Sequence, residues 1–178
     1  MRKTARSALV IVIIASLAAA SGVAAAPASS PTQLPTLEQD LRNEINVVRA
    51  QYGLRPLLPS PALTTAAESY TRTMLRRGFF DHSSPNGVTL AQRLRSRYSP
   101  AGYARWTVGE NLLSSSEAIG AKRAVELWMD SPHHRDNLLS PTFRQMGIAA
   151  VHQQSAPGVF GGNEVVVITL DLGARSTS

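Results

Sequence analysis

The sequence predicts an α+β fold in which helices come first and strands come last. After Phe143 the hydrophobic pattern changes, because Met146, Ile148 and Ala150 alternate with their neighbours. The run at 165–170 is dense in β-branched residues, which is typical of a strand in the centre of a sheet. Before Phe143 the apolar residues recur at helical spacing. Helices followed by strands favour an α+β layer structure over alternating βαβ units.

The first two helices are predicted from their end signals. Thr36 and Gln39 fit a capping box that would begin the first helix, and Gly53 would end it. Ser60 fits the N-cap of the second helix, which has a proline at its first helical position. Gly78 fits the C-terminal glycine of that helix. We therefore expect the folded domain to start at Thr36.

Two further helices and a hairpin complete the predicted elements. Thr89 and Gln92 open a short third helix, and a fourth helix runs over about 116–130. Pro132 ends or kinks this helix, since the residue before a proline leaves the helical region. The glycine-rich segment 158–163 lies between the two predicted strands, as expected of a hairpin connection.

The N-terminus has the pattern of a secretory signal peptide. Basic residues within the first six positions precede an apolar stretch at 8–20, and small residues follow. Cleavage after Ala25 is favoured, because cleavage one residue later would leave Pro27 at the new N-terminus. The apolar stretch is shorter than the about 20 residues that span a membrane, so we expect a secreted, extracellular protein with no stable membrane anchor. The predicted boundaries are signal peptide 1–25, flexible linker 26–35 and folded domain 36–174.

The composition excludes several classes of protein. The chain has no cysteine, so it has no disulfide, no thiolate metal site and no thiol nucleophile. Its formal net charge is +6, but part of this positive charge belongs to the predicted signal peptide. The mild positive charge has two interpretations. It favours contact with acidic wall polymers or anionic head groups, or it is the charge of an ordinary soluble surface. Arg93, Arg95 and Arg97 lie around a helix rather than along one stripe, so nucleic acid is not an expected partner.

Three short polar motifs carry the candidate site residues. They are 81–85, 109–112 and 131–137, and their titratable residues include His82, Glu110 and two adjacent histidines. Imidazoles and carboxylates bind divalent metals or move protons near neutral pH. If the fold brings the three motifs together, they form a polar site in a small domain.

Each motif also has a simpler interpretation. His82 could cap a turn, and Glu110, which we place where a strand meets a loop, could be a surface glutamate. A buried glutamate there would instead need an imidazolium, a metal or amide donors. His133 and His134 are neighbours, and neighbours on a helix do not share a face, so we expect one at the site and one in solvent. Glu126 could turn toward the pocket or remain a helix-surface glutamate.

Several enzyme signatures are absent from the sequence. There is no Gly-x-Ser-x-Gly elbow to expose a serine nucleophile, and no His-Glu-x-x-His helix for a zinc peptidase. The chain also has no glycine-rich phosphate loop. The sequence therefore predicts a polar site that lacks the common signatures of serine hydrolases, zinc peptidases and nucleotide-binding enzymes.

The order of these motifs resembles the CAP superfamily (cysteine-rich secretory proteins, antigen 5 and pathogenesis-related 1 proteins), in its short bacterial SCP-like extracellular branch. The resemblance spans 37–173, and the absence of cysteine fits the bacterial branch. It implies a three-layer α-β-α sandwich with a central antiparallel sheet and a surface cleft lined by histidines and acidic residues. The segments that carry it are 45–57, His-Ser-Ser-Pro-Asn-Gly at 82–87, Gly-Glu-Asn-Leu at 109–112, 124–139 and 143–148.

The resemblance also assigns the cleft residues. His82 and His134 match the cleft histidines, and Glu110 matches the glutamate of the Gly-Glu-Asn motif. Some family members hold a divalent cation, often zinc, through the two histidines. This chain has Ser131 where animal and plant members have a second cleft glutamate, so Glu126 is the available substitute. The predicted set is therefore His82 and His134 as metal ligands, with Ser83, Glu110, Asn111, Glu126 and the additional His133 around them.

Three functions are left open by the sequence. The leading hypothesis is a secreted, non-enzymatic binding module whose cleft holds zinc or another divalent cation and whose groove takes a lipid, a peptide or a wall-derived ligand. The alternative is a metal-dependent hydrolase in which Glu110 is the general base on a metal-polarised water and cuts peptide or cell-wall bonds. In the third hypothesis the polar residues are purely structural. Fold class does not choose among the three, and the oligomeric state is left open.

Overall fold

The computed structural model describes residues 30–177, and the predicted α+β class is confirmed. Within these residues the helices are α1 (Pro35–Gln51), α2 (Pro61–Arg77), α3 (Leu90–Arg95), α4 (Ala121–Asp130) and α5 (Pro132–Leu139). The strands are β1 (Thr32–Gln33), β2 (Leu58–Pro59), β3 (Arg105–Ser115), β4 (Gln145–Gln153) and β5 (Val165–Ser176). No helix within 30–177 has the length and apolar character of a membrane-spanning segment.

The strands form one sheet in the order β1-β4-β5-β3, with β2 also paired to β4. The long strands pair antiparallel, and the two-residue β2 runs parallel to β4. The β-branched run lies in β5, between β4 and β3, so the prediction of a central strand there is confirmed. The strand β3 is at the edge of the sheet, so one of its sides is open to side chains from the helices.

Helices cover both faces of the sheet, which gives the expected three-layer sandwich. On one face, Ile148 of β4 belongs to the core cluster formed with α1, α4 and α5. On the other face, Val167 of β5 packs in a cluster with Met74 of α2, and α3 lies over the start of β3. Because both faces are covered, the residues of β4 and β5 are buried along most of their length.

A glycine in β4 allows α2 to lie directly on the sheet. A Cβ at Gly147 would overlap the α2 backbone at Leu63 and Thr64. Any larger residue would therefore push the helix away from the strand. This close approach fixes α2 and, through it, the segment that carries His82.

Helix-end signals that depend only on neighbouring residues are confirmed. The Ser60 side chain accepts a hydrogen bond from a backbone amide in the first turn of α2. Gly78 ends that helix with a φ of 66°, in the left-handed region that favours glycine. Thr89 and Gln92 make both hydrogen bonds of a capping box at the start of α3.

The predicted start of the first helix was wrong. The helix α1 begins at Pro35 after Leu34, with no side-chain cap, so Thr36 is not an N-cap. The backbone N–H of Leu34 instead donates to the carbonyl of Ala150 in β4, at 2.9 Å. The sheet therefore sets the entry into α1, and a proline at the first helical position suits that entry.

Two predicted boundaries also differ from the structure. Residues 32–35 were assigned to a flexible linker, but Thr32–Gln33 forms β1 and pairs with β4. The fourth helix begins at Ala121, not near 116, because Gly120 is its N-cap and residues 116–119 have no helical structure. Residues 26–29 of the predicted linker, and the predicted signal peptide, lie outside the described residues.

Candidate functional site

The candidate site lies at the open edge of β3. Glu110 lies in the middle of this strand, so the prediction that it stands where a strand meets a loop was wrong. Neighbouring residues of a strand face opposite sides of the sheet. Glu110 accordingly contacts Arg93 of α3, whereas Asn111 contacts α5 in the other layer. The edge strand thus joins both helical layers through polar side chains.

Glu110 is a buried carboxylate with a separate partner for each oxygen. Its side chain is 1% exposed. Oε1 lies 2.8 Å from Nδ1 of His82, and Oε2 accepts a hydrogen bond from Nη2 of Arg93, also at 2.8 Å. A carboxylate has no proton to donate, so Nδ1 of His82 donates the hydrogen of this bond, and Nε2 is the ring nitrogen that can lose its proton.

Arg93 is the cation of this site, and sequence reasoning missed it. Besides Glu110, its Nη2 donates to the backbone carbonyl of His82 at 3.1 Å. Its guanidinium lies 3.3 Å from the centroid of the Tyr70 ring. The sequence did contain a signal, because Arg93 stands beside the buried Leu94 of α3, at the border of the apolar face.

Asp171 of β5 is a second buried carboxyl group, directly opposite Glu110 in the sheet. It is fully buried, and neither of its carboxyl oxygens has a hydrogen-bond partner within residues 30–177. Burial, followed by the charge of Glu110, raises the pKa of Asp171 well above its usual value. The sequence signal was one acidic residue among the apolar residues that follow position 165.

Two asparagines attach α5 to the edge of β3. The side-chain amide of Asn111 donates to the backbone carbonyl of His134 at 2.9 Å. The amide of Asn137 donates to Oδ1 of Asn111 at 2.8 Å and to the carbonyl of Glu110 at 3.1 Å. The segment that begins at Pro132 is an eight-residue helix. These bonds hold its first turn beside the strand.

The structure brings the rings of His82 and His134 close to each other at the edge strand. Their centroids are 6.5 Å apart, and their planes are tilted by 50°. The hydrogen bond to Glu110 raises the pKa of His82, although burial acts in the opposite direction. Burial, and then the charges of His82 and His133, lower the pKa of His134. Near neutral pH, the fraction of unprotonated rings is therefore higher for His134 than for His82.

The sequence comparison now identifies the family. The family profile described as "CAP: Cysteine-rich secretory protein family" matches residues 42–169. The chain belongs to this family. The predicted resemblance to CAP proteins is therefore confirmed.

Bacterial proteins are among the relatives of this CAP domain. The protein YkwD of Bacillus subtilis is 28% identical over 127 residues, which cover 71% of this chain and 47% of YkwD. The membrane protein YlbC of the same organism is 26% identical over 113 residues, covering 64% of this chain and 31% of YlbC. The chain thus spans about half the length, or less, of these curated relatives.

Solved structures share the fold of this CAP domain. An extracellular SCP-domain protein from Bacillus anthracis aligns with a TM-score of 0.60 and 23% identity, covering 78% of this chain and 40% of the other. An outer surface protein of Borrelia burgdorferi aligns with a TM-score of 0.62 and 21% identity, covering 82% and 98%. At these identities the likeness concerns the fold.

The other predicted cleft residues occupy different positions in the CAP domain. His133 is exposed, as expected of one of two adjacent histidines. Ser83 is half-buried next to His82, and its backbone N–H donates to Oδ1 of Asp81 at 2.7 Å. Glu126 pairs with Arg123 on the surface of α4 at 3.5 Å, and no contact within residues 30–177 joins it to Glu110 or the site histidines.

If a cation bound at this site, Nε2 of His82 and a ring nitrogen of His134 would be its candidate donors. Glu110 has both oxygens engaged, so it orients His82 rather than offering an oxygen to a cation. No group of three His, Asp or Glu side chains within residues 30–177 has a metal-binding arrangement. A cation at this site would therefore have two protein ligands and complete its coordination with solvent or a bound ligand.

A large groove of the domain lies away from the two histidines. Its volume is about 540 Å³, and it is formed by the start of α1 and the connection between β3 and α4. Apolar residues such as Leu34, Ile119 and Val166 line it. It begins at Ser115, five residues along β3 from Glu110. The groove and the histidine pair are thus separate features.

Proposed function

We propose that this CAP domain is a secreted, non-enzymatic binding module whose His82 and His134 hold a divalent cation, with zinc as the first candidate. The observation that carries the proposal is the 2.8 Å contact between Nδ1 of His82 and the buried carboxylate of Glu110. In metal sites, a carboxylate bound to one ring nitrogen of histidine fixes the ring and increases the basicity of the other nitrogen. A cation bound there would supply a coordination position for an oxygen or nitrogen of a ligand.

The distance between the rings is compatible with this role after a small closure. Two imidazoles on a tetrahedral zinc, with Zn–N bonds of about 2.0–2.1 Å, place their ring centroids about 5 Å apart. The centroids of His82 and His134 are 6.5 Å apart. The side chain of His82 is 55% exposed, so it has room to move toward His134.

The position of Glu110 argues against the hydrolase alternative. A general base must have an oxygen free to take a proton from water. Both oxygens of Glu110 are engaged, by Arg93 and by His82, and its side chain is 1% exposed. We therefore favour binding over catalysis.

The ligand that we propose is a lipid, a peptide or a fragment of the cell wall. The groove of about 540 Å³ supports a partly apolar ligand, because small-molecule sites have volumes of about 300–1,000 Å³ and mostly apolar walls. Secretion is supported by the signal-peptide pattern at 1–25. It is also supported by the two solved structures of similar fold, which come from an extracellular protein and an outer surface protein.

Calorimetric titration with zinc tests the proposed cation site. We expect one bound ion per chain, and we expect the His82→Ala and His134→Ala variants each to bind about tenfold or more weakly. The matched control is His133→Ala, which removes an exposed histidine from the same helix turn and should change little. Affinity should fall as the pH drops, and the fall should begin above the usual histidine pKa of about 6.5, because the pKa of His82 is raised and protons compete for the imidazoles. Equal affinity in all four proteins would refute the site.

Two further measurements separate the alternatives. If the polar residues are purely structural, His82→Ala will lower the melting temperature by a few degrees, as expected for about 1 kcal/mol in a domain of this size, while ligand binding stays intact. If the protein is a hydrolase, incubation with peptidoglycan fragments and a peptide library will give products that disappear with chelator and in Glu110→Gln. Zinc binding without such products supports the binding module.

A further inference from the structure

A groove at the end of the sheet opposite the groove of about 540 Å³ is lined by positive charges and by no acidic residue. It lies where β3 begins and β5 ends, and its volume is about 370 Å³. Three arginines line it, together with hydroxyl side chains that can donate hydrogen bonds. The lining groups with polar side chains are Arg105, Arg144, Arg175, Thr107, Thr142 and Ser176.

A second groove continues this surface. It has a volume of about 330 Å³ and shares Pro141 and Arg144 with the first groove. It adds Arg49 and Arg55, and again no acidic residue lines it. We call the five residues Arg49, Arg55, Arg105, Arg144 and Arg175 the arginine track.

The charges of the arginine track lack carboxylate partners. None of its five guanidinium groups forms an ion pair with a carboxylate within residues 30–177. Arg49 is 1% exposed, and its side chain donates only to backbone carbonyls, those of Arg55, Leu138 and Ser140. Burial, followed by the charge of Arg144, lowers the pKa of Arg49. These two grooves therefore present positive charges that no carboxylate ion pair within residues 30–177 neutralises.

Two arginines of the track are already held in place. Nη1 of Arg144 donates to the carbonyls of Thr142 and Phe143, at 3.2 and 2.9 Å. The guanidinium of Arg175 lies 3.9 Å from the ring centroid of Tyr98 and 4.7 Å from that of Tyr103. Because these side chains are already ordered, less conformational entropy is lost when a ligand binds to them.

The groove at the opposite end of the sheet has the opposite charge. The groove of about 540 Å³ is bordered by Asp40, Glu117 and Glu164, and no lysine or arginine lines it. The groove of about 540 Å³ and the groove that Arg105, Arg144 and Arg175 line thus differ in the sign of their lining charges. An anionic ligand would be attracted to the arginine track and repelled from the other end.

We propose that Arg55, Arg105, Arg144 and Arg175 of the arginine track bind phosphate groups of an extracellular phosphodiester polymer, while the buried Arg49 adds positive charge behind them. Arginine matches phosphate because its planar fork donates two parallel hydrogen bonds. A polymer is favoured over a single ion because the two grooves adjoin and offer arginines on both sides of Arg144. The site requires the proposed secretion but not the proposed cation site.

Titration of the purified protein with poly(glycerol phosphate) at low salt tests the proposal. We expect Arg105→Gln and Arg144→Gln each to weaken binding about fivefold or more, because each removes charged hydrogen bonds to phosphate. Arg77→Gln is the matched control, since it removes the same charge from an exposed position on α2, and it should stay within about twofold of the unmodified protein. Backbone amide signals of Thr107 and Thr142 should shift on binding.

The comparison arms identify the source of the anion. Inorganic phosphate should compete at high concentration, and polyglutamate of matched length should bind more weakly than poly(glycerol phosphate). A chelator should leave the affinity unchanged, which separates the arginine track from the cation site. Equal binding of polyglutamate, equal affinity of Arg105→Gln and Arg77→Gln, or binding only to phosphatidylglycerol vesicles would overturn the proposal.

Discussion

Replacement of Arg93 by methionine removes the guanidinium that pairs with the buried carboxylate of Glu110. Methionine keeps much of the length and apolar character of the side chain, so packing against Tyr70 is largely retained. The change leaves His82 as the remaining partner of the Glu110 side chain. It also removes the positive charge beside Glu110 and Asp171, two carboxyl groups that lie opposite each other in the sheet. We expect a large loss of stability.

The magnitude follows from the geometry of the pair. At a separation of 2.8 Å, the attraction of two unit charges is about 6 kcal/mol if the effective dielectric constant is about 20. Part of this energy is offset, because the substitution also removes the cost of taking the guanidinium out of water. Measured losses for removing one partner of a buried pair are about 3–5 kcal/mol. For a domain of this size, each kcal/mol changes the melting temperature by about 2–4 °C, so we expect a decrease of about 6–20 °C.

Urea unfolding followed by circular dichroism at pH 7 measures this loss. Arg97→Met is the matched control, because Arg97 is exposed and lies two residues beyond the end of α3. The control should change the free energy of unfolding by less than about 0.5 kcal/mol. A loss below about 1 kcal/mol in Arg93→Met, or an equal loss in the control, would show that the buried pair does not stabilise the fold.

Three further outcomes are expected. Asp171→Asn should stabilise the protein by about 1–3 kcal/mol at pH 7. The raised pKa keeps this carboxyl group protonated in the folded protein, whereas it ionises above about pH 4 in the unfolded chain, so the native protein loses stability as the pH rises from about 4. The gain from the substitution should therefore vanish below about pH 4 in urea unfolding. In an NMR titration, the pKa of His82 should lie above, and that of His134 below, the usual histidine value; the reverse order would contradict the Glu110 contact. Gly147→Ala should cost about 3 kcal/mol or more, since its Cβ meets the α2 backbone, whereas Gly120→Ala, with open space at its Cβ, should cost less than about 1 kcal/mol by thermal unfolding.

Features that depend on adjacent residues could be predicted from the sequence. The capping box of Thr89 and Gln92 and the Ser60 cap are formed by groups within one helical turn, so a single segment contains all the information. The β-branched run at 165–170 similarly indicates a strand buried on both faces, and it occupies the centre of the sheet.

Features that depend on a distant partner could not be predicted in this way. Thr36 looks like an N-cap, but the contact of Leu34 with Ala150 of β4 decides where α1 begins. The position of Glu110 within β3 depends on pairing with β5, which polar and glycine residues nearby do not indicate. Arg93 and Asp171 entered the site only because α3 and β5 lie on either side of Glu110.

The amino-acid sequence alone determined the α+β class, the family and the residue types of the polar site, because periodicity, caps and motif order are local properties of the chain. Tertiary structure decided which groups meet. Contact between side chains far apart in sequence made Glu110 a buried partner of Arg93 and His82, and gathered the arginine track at one end of the sheet. The charge state and chemistry of each group depend on burial and neighbouring charges, which only the folded chain defines.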